Sequence, residues 1–248
     1  MKKWSVLFFV GVLMLCAGFS NRAQAAIEVE GDVYVGLWDK YLWRGFDLSD
    51  GRPTIQGGID LSAGGWSLST WHNWQLKSSD DINSGEMNET DIILTYSFNV
   101  GEMVSISVGD IFYSLDFEGA EDTNELFVHT TLNTLLSPTL KIWWDWDAAE
   151  EDGLYYTLDI SHSFDLGQWL PKSTLNLGAL VAYNQHSDYA VGDFGGFHNY
   201  ELSTSIDYAL TDQLTLSGIG IFSSGISSAA KEAIDTETAF ALNLTFTF

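Results

Sequence analysis

Along most of this chain apolar and polar residues alternate one by one. That is the period of a pleated strand, whose neighbouring side chains leave on opposite faces. The last residues show it most cleanly: Phe240, Leu242, Leu244, Phe246 and Phe248 share one face, and Ala241, Asn243, Thr245 and Thr247 share the other. The same rhythm runs through Tyr200–Tyr208, Leu175–Tyr183, Tyr156–Phe164, Leu140–Trp146 and Ile92–Phe98. Further strands are read at about 30–45, 53–62, 66–76, 103–115, 124–134 and 213–222, which makes twelve.

The connections alternate as well. Turns near Gly64-Gly65, Val100-Gly101, Ser137-Pro138 and Thr211-Asp212 are short, with a somewhat longer one at Leu166–Lys172. Between them lie polar stretches at Asp47–Arg52, Lys77–Asn88, Asp116–Thr123, Gln185–Phe197 and Ser223–Asp235, and a shorter one at Ala149–Asp152. Short turns at one end and long loops at the other predict an all-β, antiparallel up-and-down transmembrane barrel with both termini on the short-turn side.

Composition sharpens this reading. The chain is 46% hydrophobic and carries 10 Trp, 10 Tyr and 15 Phe, which excludes a disordered chain despite a formal charge of −24. Many aromatics fall near predicted strand ends (Trp38, Tyr41, Trp43, Trp66, Trp74, Trp144, Trp146, Tyr155, Tyr156, Tyr183, Tyr200 and Tyr208), where an interfacial girdle needs them. Parity turns Trp71 and Trp143 inward, and puts Asp39 and Asp110 on the lipid face.

The first residues read as a secretory signal: Lys2-Lys3, an apolar run from Val6 to Phe19, then Ala23-Gln24-Ala25, with cleavage expected after Ala25. Residues 1–25 are thus a leader and 26–248 the barrel. Cys16, the sole cysteine, follows Leu15, a poor context for lipid attachment, and leaves with the leader. The mature chain then has no disulfide and no cysteine-ligated metal. Losing Lys2, Lys3 and Arg22 takes the charge to −27, from 34 acidic and 7 basic residues. Phosphate repulsion excludes nucleic acid as a partner. The strand from Phe240 to Phe248, ending on an aromatic, looks like the assembly signal of outer-membrane barrels, read by the barrel-assembly machinery. The expected location is the bacterial outer membrane, with its lipid and lipopolysaccharide as partners.

One stretch carries a family resemblance. Asp39-Lys40-Tyr41-Leu42-Trp43-Arg44-Gly45-Phe46-Asp47-Leu48-Ser49-Asp50-Gly51, then Pro53, Gln56-Gly57-Gly58 and Trp71, resembles the opening of the TorF-family porins, the Gcw_chp conserved bacterial proteins. The close match covers roughly 38–75, and His72 stands where the family often has a small residue. The resemblance implies a porin-like barrel and brings no catalytic residue. In this reading Tyr41 and Trp43 belong to the outer girdle, Arg44 is the first lumen-facing residue at the mouth, and Gly45 frees the backbone to turn.

By parity the lumen candidates are Arg44, Asp60, Asp91, Glu125, His129, Lys141, Asp145, Asp147, Asp159, Glu201 and Asp207. So acidic a wall favours small cationic or neutral solutes over anions. Alternatively these groups pair and plug a narrow barrel, leaving a structural or adhesive protein with acidic loops at Ser79-Asp80-Asp81, Glu118–Asp122 and Glu150-Glu151-Asp152. Those loops lack calcium-loop spacing, and the histidines lack metal-ligand spacing, so no cofactor is expected. A lipid hydrolase needs a serine and a histidine on one face, and Ser161-His162-Ser163 cannot supply them from adjacent strand positions. The chain is therefore not expected to be an enzyme.

Overall fold

The computed structural model describes residues 28–78, 84–117, 119–150 and 152–248. The expected leader lies outside them, as do Ser79, Asp80, Asp81, Glu118 and Glu151 of the acidic loops.

Twelve antiparallel strands close into a barrel. In chain order they are β1 (Glu30–Trp38), β4 (Thr54–Ala63), β5 (Trp66–Gln75), β6 (Met87–Val100), β7 (Val104–Leu115), β8 (Thr123–Leu132), β9 (Thr139–Asp145), β10 (Leu154–Asp165), β11 (Ser173–Gln185), β12 (Gly195–Ala209), β13 (Leu214–Gly225) and β14 (Glu237–Thr247). Two short strands, β2 (Leu42–Trp43) and β3 (Phe46–Asp47), form a separate hairpin. A six-residue helix, α1 (Ser228–Ala233), sits in the last long loop, with the Ser227 hydroxyl accepting from the Ala230 N–H as its cap.

Each strand is held to its sequence neighbour, and β1 closes the seam on β14 with Val35 opposite Leu244 and Val33 opposite Phe246. At the inner rim, where the chain ends and the short turns lie, Gly31 and Phe248 exchange backbone hydrogen bonds of 3.0 and 2.9 Å. Closure leaves no unpaired sheet edge, the condition for spanning hydrocarbon with strands.

Register fixes which face meets what. Phe240 (59% exposed) and Leu242 (62%) share the outward face with Leu244, Phe246 and Phe248. Apolar side chains this open across a whole closed sheet make a lipid-facing belt. Aromatics ring both its edges, with Trp66 against Tyr96 (4.8 Å) near the inner rim and Tyr156, Tyr183 and Phe197 in sequence near the outer one. Asp110 lies outward on β7, opposite Leu94 and Leu126.

The first strand departs from expectation. It stops at Trp38 rather than running to residue 45, because the chain then leaves the wall. Asp39 stays exposed on the outer side beside Leu37 and Phe240, at the end of the seam, where its carboxylate accepts a hydrogen bond from the Phe240 N–H at 2.8 Å.

Candidate functional site

The residues after Asp39 fold into the barrel mouth. Trp43 pairs with Phe46, and the two residues between them, Arg44 (φ 49°) and Gly45 (φ 87°), both have positive φ, the requirement of a two-residue type I′ hairpin. A Cβ on Gly45 would stand 2.6 Å from Ile234 Cδ1 and would hold a φ that other residues rarely adopt, so the tip favours glycine. The Asp47 carboxylate tightens the return by accepting from Ser49 N, Ser49 Oγ and Gly51 N at 3.0, 2.9 and 2.7 Å. The Tyr41 N–H donates to Ser49 Oγ (2.8 Å), and Gln75 reaches the Ser49 carbonyl (3.2 Å).

At the base of the loop Lys40 bonds Glu237 of β14 at 2.5 Å. That hydrogen bond raises the lysine's pKa above its ordinary value, with burial working against it.

Contacts run from the hairpin to much of the wall. The Tyr41 ring meets Trp71 of β5 at 5.2 Å. Trp43 meets Tyr113 of β7 edge-on at 6.3 Å. Phe46 stacks on His198 of β12 at 5.7 Å, and His198 Nε2 donates to the Arg44 carbonyl at 2.8 Å. Tyr41 and Trp43 are therefore parts of a plug, not of the outer girdle. Tyr155 likewise turns inward, where it packs with Ala182 and Val191.

Arg44 is the centre of the arrangement. Its two terminal nitrogens donate to Glu125 Oε1 and Oε2 at 2.8 and 2.7 Å, the fork-to-fork geometry that only a guanidinium provides. Tyr113 donates a third bond to Glu125 at 2.8 Å. The guanidinium carbon lies 4.4 Å from the ring centres of Trp43 and Tyr155 and 5.5 Å from that of Trp143. The Arg44 and Glu125 side chains are only 7% and 1% exposed. A pair this dry holds because both charges are matched, and breaking it strands one of them.

The other residues singled out by parity are placed as follows. Asp91 and Glu89 are both buried, two positions apart on the inward face of β6. Lys141 pairs with Asp159 at 2.9 Å. Glu201 accepts from Asn199 (3.0 Å), whose carbonyl oxygen accepts from the Tyr155 hydroxyl (3.2 Å). His129 is held between Phe127 (4.5 Å) and Trp143 (5.2 Å). Asp207 accepts from Asn176 at 2.7 Å, and Asp60 lies on the inward face of β4 opposite Ser69. Asp145 is buried and ties the end of β9, accepting from Thr123 and from the N–H groups of Asp147 and Ala148. Asp147 does not line the lumen. It lies past the end of β9, exposed, and accepts from Asn124, whose position on β8 faces outward. The strand ends two residues earlier than parity assumed.

Along its axis the lumen is unequal. Near the outer rim Thr54, Asn73, Gln75, Asn184 and Ser223 are wholly buried beneath the hairpin, the 187–194 loop and α1. Toward the inner rim the inward positions are small and open: Ser97, Ser161, Ser163 and Ser203 are exposed. Ser161 and Ser163 lie on this inner face and His162 on the other, bonded to the Leu135 carbonyl at 2.9 Å. Between the two halves, a cavity of about 490 Å³ lies against Arg44, Trp43, Trp143 and Tyr155, with Asp91 and Glu201 on its wall.

Parity alone missed Tyr41, Trp43, Glu89, Tyr113 and His198. The readable trace of the hairpin was Arg-Gly between two short aromatic runs, the composition of a tight turn.

Known structures share the architecture. The chain aligns with the NanC porin at 14% identity (TM-score 0.55, 88% of this chain and 100% of that one) and with the KdgM porin, solved in complex with disordered oligogalacturonate, at 14% (TM-score 0.53, 88% and 99%). An outer-membrane channel of Pseudomonas putida F1 aligns at 10% identity (TM-score 0.51, 92% and 98%). At these identities the likeness is one of fold. No curated protein matches the chain. The model of a family described as bacterial proteins of unknown function matches residues 22–188, and the chain belongs to that family, Gcw_chp.

Proposed function

We propose that this protein is an outer-membrane, porin-like channel for small cationic or neutral solutes, exported on a leader cleaved after Ala25 and closed at its outer half in the state described. The observation that carries this reading is the charge layout of the lumen. Among the described residues, the basic groups facing the interior, Arg44 and Lys141, are each paired with a carboxylate, while Asp60 and Asp207 add acid with no basic partner. A wall of one sign with low-dielectric surroundings concentrates cations and repels anions. The lipid-facing belt and the fold shared with porins support the location and the class.

The test is a planar bilayer under a potassium chloride gradient, with the mature chain refolded in detergent. Discrete openings with a cation-selective reversal potential are expected. Silence from folded protein, or anion selectivity, overturns the proposal. Silence would promote a second reading, a permanently plugged structural barrel, for which the wholly buried polar layer under the hairpin is the motivating feature.

A further inference from the structure

The hairpin brings a cation to a receptor that the barrel wall builds. Glu125 on β8, Tyr113 on β7, Trp143 on β9 and Tyr155 on β10 supply the carboxylate fork, its supporting hydroxyl and two ring faces. Of the groups around the guanidinium, only Trp43 travels with Arg44 on the hairpin.

Resting on the channel reading, we propose that these wall residues form a binding site for guanidinium-bearing solutes, which Arg44 fills in the closed state and which such a solute takes over when the hairpin withdraws.

Three observations support it. First, the site is chemically selective. Two parallel N–H···O bonds at 2.8 and 2.7 Å with planar stacking on rings fit a guanidinium and not the single point charge of an ammonium or potassium ion. Second, the tip is an unfavourable place for arginine. Arg44 holds φ 49°, where asparagine or glycine is at ease, so the local backbone gives no reason for it, whereas Glu125 does. Third, there is a way in. The cavity of about 490 Å³ reaches Arg44 and the rings, and on its wall Oδ1 of the buried Asp91 lacks a hydrogen-bond partner among the described residues. The cavity thus joins the box to a further carboxyl group and to Glu201 in one space.

Withdrawal of Arg44 alone would strand a carboxylate that is 1% exposed. Withdrawal with replacement keeps the pair whole, so solute arrival and hairpin release are coupled by the same charge balance.

The experiment vacates the box and refills it. Arg44→Ala, and Arg44→Gln should alanine fail to fold, is refolded in detergent and titrated with guanidinium chloride while thermal midpoint and tryptophan fluorescence are followed. A saturable rise in midpoint with a fluorescence change is expected, half-complete at roughly 1–10 mM as befits so small a ligand. Urea and potassium chloride at equal concentration should give neither. The double variant Arg44→Gln/Glu125→Gln should lose the response at least tenfold. Absence of a saturable response, or a response unchanged in the double variant or matched by urea, overturns the site. The readout needs no conductance, so a silent bilayer with a saturable guanidinium response would sink the channel reading and leave the site standing. Conductance without that response would do the reverse.

Discussion

Replacing Glu125 by glutamine isolates the force that holds the hairpin in the lumen. Glutamine keeps the shape of the side chain and removes its charge, so Arg44, 7% exposed, is left facing a neutral amide. Taking away one partner of a buried, hydrogen-bonded ion pair costs about 3–5 kcal/mol. The ring faces of Trp43, Trp143 and Tyr155 surround Arg44 in both proteins and cancel in the difference. Part of the cost is recovered if the hairpin swings out and the guanidinium finds water. At ~3 kcal/mol the ratio of withdrawn to inserted hairpin then rises roughly a hundredfold. Cysteine labelling measures that ratio directly. In a chain of residues 26–248, which lacks Cys16, a thiol placed by Ser49→Cys, at a position 1% exposed, reports alone on hairpin release. Maleimide should label it about a hundred times faster when Glu125→Gln is added to the same background. Equal rates within a factor of about two, with both proteins folded, would refute the claim that this ion pair is the latch.

Other expectations follow from the same geometry. Gly45→Ala puts a Cβ against Ile234 at a φ of 87°, a conformation costing a non-glycine residue about 1–2 kcal/mol, so labelling at Ser49→Cys should again accelerate; unchanged labelling would count against the tip packing. Leu202→Arg sits mid-strand on the lipid face of β12 and should destabilise the barrel by about 2–4 kcal/mol in lipid, whereas Ser203→Arg, its inward neighbour, should fold; urea unfolding in vesicles decides, and the reverse order would invalidate the face assignment. Lys141→Met frees Asp159 from its 2.9 Å partner, so the reversal potential should move toward the cation limit, and a move toward anions would contradict the acidic-wall argument.

What could be read from the sequence was whatever depends on a strand's own period. Phe240 to Phe248 faced one way because side chains alternate, and the strand count and loop asymmetry followed from repeating that rule. What could not be read was where the chain stops obeying it. Tyr41-Leu42-Trp43 continues the alternation of β1 in sequence, yet these residues leave the wall because Trp71 and Tyr113, with Glu125 and His198 for the adjoining Arg44, offer partners inside from four distant strands. Parity also drifts wherever a strand slips register, as between Asn73 and Trp74 and between Val181 and Tyr183, where Asn199 and His198 are both buried on consecutive positions. Asp147 failed for a simpler reason: the rule has no meaning beyond the last paired residue. The helix at Ser228–Ala233 was read only as polar loop, although Ser227 before an Ala-Ala-Lys-Glu-Ala run is a capping signature.

The hairpin also bears on the order of events during folding. Its anchor on His198 of β12 and its clasp to Glu237 on β14 come from the last quarter of the chain, 154 and 197 residues away. Such contacts carry a heavy loop-closure cost and cannot form until the final strand has docked on the first. Until then the segment must wait outside a sheet that is still open, with Arg44 in water. Plugging is thus a consequence of completion: a barrel that failed to join its two ends would have no place to receive its own first loop.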